Sequence, residues 1–483
     1  MRTYSGWQHE NVSFLLGLSG RRAALCAIGV LLALQPILSG RIANAAILWP
    51  AALLAVALAF ARIAGRTADE WALTALSYAW ERQRGRTQYL AARPPDLGAA
   101  EEAELELPGV LAPLRLLESD GIAVLHHPWD RSFTAVARLA YPGLGLIEDA
   151  EAESRVEAWG RVLSSLCTGD HAPFRLQLVV RTLPDPAATL RSWHEQHADP
   201  SAPMASIMAN ETLLATAAPA ACRRETYLAV TLTARHAQLA IKAAGGGEQG
   251  GCTVLLRQIK ALTSPLATAD IRSADWLDRS ELAGVLRCGF DPHALAALDR
   301  HRTGLPPNLA GPAGAKANWS TYRHDAMTSA TYAVHAWPLR PVTTTVLTSL
   351  LADTTHWRAF AIHYAPLGPR EARRAVSVER TRRETAIRLR ARTGQAPSAA
   401  EEHELARADG QDHENAQGAG LVRFTAYLTV TVEDQEQFEE ACAEAETAAI
   451  QAGLELRRLY GAQDTGFALT LPTGITQLGR RTI

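Results

Sequence analysis

Two stretches without a formal charge stand near the N-terminal end: eighteen residues between Arg22 and Arg41, then twenty between Arg41 and Arg62. As helices rising about 1.5 Å per residue they would reach roughly 27–30 Å, close to the hydrocarbon thickness of a bilayer. Gln35, Pro36, Asn44 and Pro50 interrupt them, which membrane helices tolerate. The expectation is a two-helix transmembrane hairpin over residues 23–62, behind a tail of residues 1–22. Arg21 and Arg22 precede the hairpin, Arg62 and Arg66 follow it, and Arg41 stands alone in its turn. The positive-inside bias then places both termini in the cytoplasm of a multi-pass cell-membrane protein. Arg21, Arg22, Arg41, Arg62, Arg66 and Trp71 are the expected membrane-interface residues, with the lipid bilayer as a partner. A cleaved export signal ending at Ala43-Asn44-Ala45 is the rival reading; the long segment ahead of the arginines and the second apolar run count against it.

The rest of the chain has the means to build a core. Of its 483 residues 47% are hydrophobic and 20% charged, and the net charge of −2 supplies no overall field for nucleic acid or anionic lipid. Lysine occurs only at Lys242, Lys260 and Lys316, as GC-rich coding produces, so arginine clusters weigh less here as phosphate sites. A P-loop needs a glycine directly before its lysine, and these lysines follow isoleucine, isoleucine and alanine. That excludes a Walker A motif. His194-Glu195-Gln196-His197 lacks the spacing of a zinc-peptidase helix, His126 and His127 are neighbours that would point apart, and Gly17–Gly20 lacks a nucleophile elbow's flanks. The six cysteines form no CxxC pair. No catalytic, cofactor-binding or metal residue is expected, and no cofactor.

Strand and helix signals alternate beyond residue 108. Phe174, Leu176, Leu178 and Val180 alternate with Arg175, Gln177 and Arg181, the pattern of a half-buried strand. Val156, Trp159, Val162, Leu163 and Leu166 share a helical face ahead of it. Residues 422–432 alternate throughout; Asp434 and Gln437 suggest a capping box, an apolar stripe from Phe438 to Ala452 follows, and Gly453 ends the helix. A strand near Leu454–Tyr460 completes a β-α-β unit. The predicted fold class is α+β: the transmembrane hairpin, a juxtamembrane helix and linker (63–108), then two cytoplasmic α+β domains (109–302 and 318–483) with antiparallel or mixed sheets.

Residues 368–417 break the rhythm. Nine arginines lie within 370–392, and acidic residues crowd the stretch after Pro397. The expectation is a projecting charged helical hairpin inserted in the second domain. Arg373, Arg374, Arg380, Arg383, Glu401 and Glu402 are its candidate partner-contact residues; the adjoining acids argue against nucleic acid.

Several short motifs occur in order: Gly65–Trp71, Glu157-Ala-Trp-Gly160, Arg181-Thr-Leu-Pro184, Tyr332–Trp337 with Pro338, Glu455–Gly461 and Phe467–Pro472. Together they resemble an actinobacterial family of membrane proteins related to EccE, the type VII secretion component. The layout is also similar to a PrgI-type subunit fused to the N-terminal, non-ATPase region of a conjugative type IV secretion ATPase. The resemblance spans most of the chain and is weakest at 185–318. It implies a non-enzymatic cytoplasmic-membrane subunit of a secretion or conjugation apparatus. Such a subunit would belong to a larger complex and dock other subunits, including a separate ATPase. The competing classes are a membrane-anchored envelope enzyme, which would need a pocket of convergent titratable groups, and a tethered DNA-binding adaptor, which would need a contiguous basic face.

Overall fold

The computed structural model describes residues 20–40, 45–63, 66–91, 104–140, 147–167, 173–184, 188–199, 201–220, 222–271, 273–301, 304–338, 340–351, 356–392 and 420–476. Its first helices are α1 (Gly20–Leu38) and α2 (Ala45–Phe60), packed on each other with Gly29 against Val56 and Ala52. The hairpin is present, but the transmembrane expectation is not met: no helix among the described residues is long and apolar enough to cross a membrane. Only residues 23–38 of the first uncharged stretch and 45–60 of the second are helical, 16 residues in each. Helix α2 has only 16 residues, and Arg21 and Arg22 fall in the first turn of α1, whose last four residues include Pro36. At about 1.5 Å per residue α2 covers roughly 24 Å, short of a hydrocarbon layer. The multi-pass membrane location and the topology drawn from the arginines are corrected with it. Ile47, Leu53, Leu31 and Leu38 still present bare side chains on the hairpin's outer faces.

A small ribbon of β1 (Arg62–Ile63) and β2 (Arg66–Thr67) leads into α3 (Ala68–Gln83) and strand β3 (Gln88–Leu90). Then come β4 (Arg115–Ser119), β5 (Ile122–His127), β6 (Ser132–Ala140), α4 (Asp149–Ser165) and β7 (Phe174–Pro184). Helices α5 (Ala188–His197) and α6 (Met204–Ala220) precede β8 (Cys222–Thr233), α7 (Gln238–Ala243), α8 (Gly247–Thr268), β9 (Ser273–Trp276), α9 (Arg279–Phe290) and α10 (Ala294–His301). The remainder is β10 (Gly314–Ala317), β11 (Tyr322–His324), β12 (Met327–Ala336), β13 (Trp357–Pro366), α11 (Pro369–Arg392), β14 (Val422–Val432), α12 (Phe438–Gln451), β15 (Glu455–Arg458) and α13 (Gln463–Leu469).

Among the described residues thirteen strands form one antiparallel sheet in the order β3-β10-β11-β12-β14-β13-β7-β8-β6-β5-β4, with β15 on β12 and β9 on β6. Apart from β3 this order is a palindrome. The first half is a meander β4-β5-β6, a return by β7 and β8, and a last strand β9 beside β6; the second half repeats it as β10-β11-β12, β13, β14 and β15. The ladders agree in register. Tyr227 stands opposite Val179, two residues from Arg181, and Tyr427 opposite Ala361, two residues from His363. Leu277 and Leu459, each just past the last strand of its half, donate their N–H to Val136 and Thr331, both at 2.9 Å. The chain therefore contains two copies of one β-α-β-rich unit, and β7 and β13 join them through seven residue pairs. The α+β expectation holds, with one sheet running through both segments.

Three cores follow from this plan. One face of the sheet carries a separate core in each half: α4 and α8 cover Phe133, Leu176 and Leu228, while α12 covers Phe360, Leu428 and Val430. The opposite face has a shared core spanning the junction, roofed by α9 and α13. There the strands' polar residues are buried. Gln177 Nε2 donates to the carbonyls of Leu469 and Leu471 at 3.0 and 2.8 Å, and its Oε1 accepts from Gly474 N–H at 2.8 Å. The alternation read as half-exposed thus belongs to strands covered on both faces, the second face being a hydrogen-bonded seam. The helix start differs too: Asp434 accepts from Glu436 N–H at 2.9 Å to cap a 3-10 turn, and α12 begins only at Phe438.

Candidate functional site

The duplication shows where the chain has been elaborated, because features present in one half alone are not demanded by the shared scaffold. In the second half β14 reaches α12 through the tight turn just described. In the first half the same link, β8 to α8, is longer and adds α7 and a run of three glycines. Gly245, Gly246 and Gly247 have φ of 105°, 74° and 60°, successive left-handed conformations that residues with a Cβ rarely adopt. Between this loop, α7 and the β5–β6 turn lies a cavity of about 570 Å³. Phe133, Ile241 and Ala234 supply apolar walls, Arg131 and Lys242 stand at its edge, and His126 and Glu248 face each other across 3.1 Å. His126 also stacks on Phe133 with ring centroids 4.6 Å apart. Burial lowers the His126 pKa; Glu248 opposes that and Arg115 adds to it, so the imidazole stays below its ordinary value. Among the described residues no group of His, Cys, Asp and Glu is placed to hold a metal ion. The recess joins apolar walls to charged groups of both signs, Arg131 and Lys242 with Glu248.

Arg181, Glu225, His324 and His363, buried inside the protein, are held by structural partners. Arg181 is buried between Glu225 and Tyr227, each 3.1 Å from its Nη2, and donates through Nη1 to the Val285 carbonyl at 2.9 Å. Burial opposes its charge, but Tyr227 and Glu225 outweigh that and raise its pKa. Burial likewise pushes Glu225 up, and Arg181 with Arg223 overcomes it, holding the carboxylate below its usual range. In the second half the position matching Arg181 is His363, whose Nε2 donates to the Leu469 carbonyl at 2.8 Å. His324 donates from Nδ1 to the Phe290 carbonyl at 2.6 Å and accepts at Nε2 from Ser329 at 2.7 Å. Burial brings both histidines down to about 4 against the pull of those carbonyls, so both are neutral at pH 7.

The expected interface residues are scattered. Arg21 and Arg22 lie in α1, Arg62 in β1 and Arg66 in β2, whereas Arg41 lies outside the described residues. Trp71 is half-buried in an aromatic cluster with Tyr460 and Trp319, at 5.2 and 5.8 Å, and so fixes α3 to the second half of the sheet. Of the expected charged hairpin, the described part is α11. Its 24 residues reach roughly 36 Å at the usual rise. Arg373 and Arg374 are exposed on it, Arg380 and Arg383 lie further along, and Ala372 and Val376 are buried at its base. Glu401 and Glu402, on the expected second arm, fall outside the described residues. Sequence reasoning missed the cavity and the Arg181 cluster. The glycine run at 245–247 was the available signal for the first.

In comparison with known families, residues 220–334 match the EccE family, described as a putative type VII ESX secretion system translocon. That is about a quarter of the chain, from β8 through most of β12, including the α7–glycine loop. Of the motifs carrying the resemblance noted above, only Tyr332–Trp337 overlaps it. No curated protein matches the chain.

Proposed function

We propose that this chain is a non-catalytic subunit of a type VII-related secretion assembly, a rigid platform on which other subunits, including a separate ATPase, dock. The observation that carries the reading is the EccE match, which falls on the second half of one repeat and the opening strands of the other. Three features support it. Arg181, Glu225, His324 and His363 are each held by structural partners, the continuous sheet gives a stiff base, and an excursion leaves the sheet between equivalent strands of each half. Because β7 and β13 run antiparallel, α5–α6 and α11 leave from opposite ends of the sheet. Met204, Met208 and Leu213 are exposed on α6 and Arg373 and Arg374 on α11, giving an apolar arm and a cationic one.

The test is purification of the tagged full-length chain from its native host, with mass spectrometry of what accompanies it and an export assay in a strain lacking it. A secretion ATPase and further subunits should co-purify, export should stop, and the chain alone should turn over no nucleotide. Isolation of the chain alone, with export unaffected, would refute the reading.

A further inference from the structure

The two halves differ at their outer edges. Beyond β10 the sheet is extended by β3, which pairs antiparallel through Gly314↔Leu90, Ala315↔Tyr89 and Lys316↔Gln88. The equivalent strand of the first half is β4, and no strand among the described residues pairs with its outer side. The backbone groups turned outward there can be identified. Ala123 of β5 donates its N–H away from β4, to Leu277, so by the alternation of an antiparallel ladder Ile122, Val124 and His126 bond towards β4. Their partners Ser119, Leu117 and Arg115 are then engaged, which leaves the N–H and C=O of Leu116 and Glu118 facing out. The filled edge has the same parity: Ala317, which matches Leu116, donates outward to Thr87.

We propose that the outer edge of β4 receives an extended segment of another subunit as an added antiparallel strand, in the way that β10 receives β3. This rests on the proposed role as a docking subunit and assigns it a surface. The side chains at the edge state the occupant's chemistry. Leu116 is half-buried at the rim of the shared core, so an apolar or aromatic residue opposite it would extend that core, as Tyr89 does opposite Ala315 at the other end. Glu118 lies on the same face, two residues on, and is exposed. An antiparallel segment would meet it two residues before the apolar position, and a basic residue there is favoured. The recognised pattern is basic–any–apolar in an extended chain, held by backbone hydrogen bonds as in other cases of strand addition.

The test uses the full-length chain, alone and in the assembly purified from its host. Exchange of backbone amides within 112–121 is read by mass spectrometry, beside the subunits retained by Glu118→Pro and Glu118→Arg. Proline at 118 removes an outward N–H and no bond to β5. Leu116 and Glu118 should exchange rapidly in the isolated chain and at least tenfold more slowly in the assembly. Glu118→Pro should retain at least tenfold less of one particular subunit, and a synthetic peptide from that subunit carrying the basic–any–apolar pattern should bind wild type but not Glu118→Pro. Glu118→Arg, which keeps the backbone, should weaken that peptide and favour one whose basic residue is replaced by glutamate. Protection in the isolated chain would mean that the chain's own residues or a second copy fill the edge, and would overturn the proposal. So would unchanged retention and peptide binding in both variants. A wild-type chain that retains no subunit fails the parent reading instead.

Discussion

The two halves of the sheet solve one packing problem with different chemistry. Each must bury a polar side chain beneath the helices that roof the shared core, at the position two residues beyond the one facing its buried tyrosine. The first half uses an ion pair, Arg181 with Glu225, whereas the second uses a neutral histidine, His363, hydrogen-bonded to a carbonyl. A buried charge demands complete compensation, while a neutral imidazole demands much less. The scaffold is therefore indifferent to the chemistry, provided that each polar group is satisfied.

The largest effect should come from breaking the ionic version. Glu225→Ala leaves Arg181 charged and buried, and should cost about 3–5 kcal/mol in urea unfolding at pH 7. The double variant Arg181→Met/Glu225→Leu should recover most of that loss. If it does not, the pair is doing something that the second half manages without.

An intermediate effect separates the halves by pH. His324 and His363 are held at about 4 in the fold against an ordinary 6.5, so the unfolded chain binds more protons between those values. Stability must therefore fall as pH drops through that window, by about 2 kcal/mol per histidine at pH 5 relative to pH 7. Glu225 works lower. Its depressed pKa contributes stability above the usual carboxylate value of 4.5 that is lost only as pH falls through the folded value. The double variant His324→Gln/His363→Gln should lose roughly that much less between pH 7 and 5. An unchanged slope would show that these imidazoles are not the acid-sensitive groups.

The smallest effect tests the equivalence itself. Thr134 and Thr231 share a hydrogen bond at 2.9 Å, and Ser329 and Thr431, at the matching places of the second half, share one at 2.7 Å. Thr231→Val and Thr431→Val, each of which removes that one bond, should each cost about 1 kcal/mol. A large disparity would mean that the two halves are less alike in energetics than in register.

What the sequence disclosed follows the same division. Strands at 174–181 and 422–432 and the helix after Asp434 were legible because their periodicities are strong. The duplication was not: β8 and β14 keep Tyr227, Leu228, Val230 and Thr231 as Tyr427, Leu428, Val430 and Thr431, but most matching positions elsewhere differ, as Arg181 and His363 or Val136 and Thr331 do. The polar faces of β7 and β14 were read as half-exposed because alternation alone cannot distinguish water from a buried polar seam. The N-terminal hairpin was overread for a related reason. Charge-free length measures the most a helix could span, and only 16 residues of each stretch are helical. The candidate site was not read in advance: the glycines at 245–247 were its one local signal, and the cavity depends on what the β5–β6 turn brings opposite them.

The central claim is that two like units act as one body through β7 and β13. The most direct measurement is equilibrium urea unfolding of the full chain, followed by amide exchange in β8 of the first half and β14 of the second. One continuous sheet predicts coincident midpoints and a common dependence on urea, with Glu225→Ala shifting both together. Separate midpoints, or a shift confined to β8, would show two independent units that merely touch.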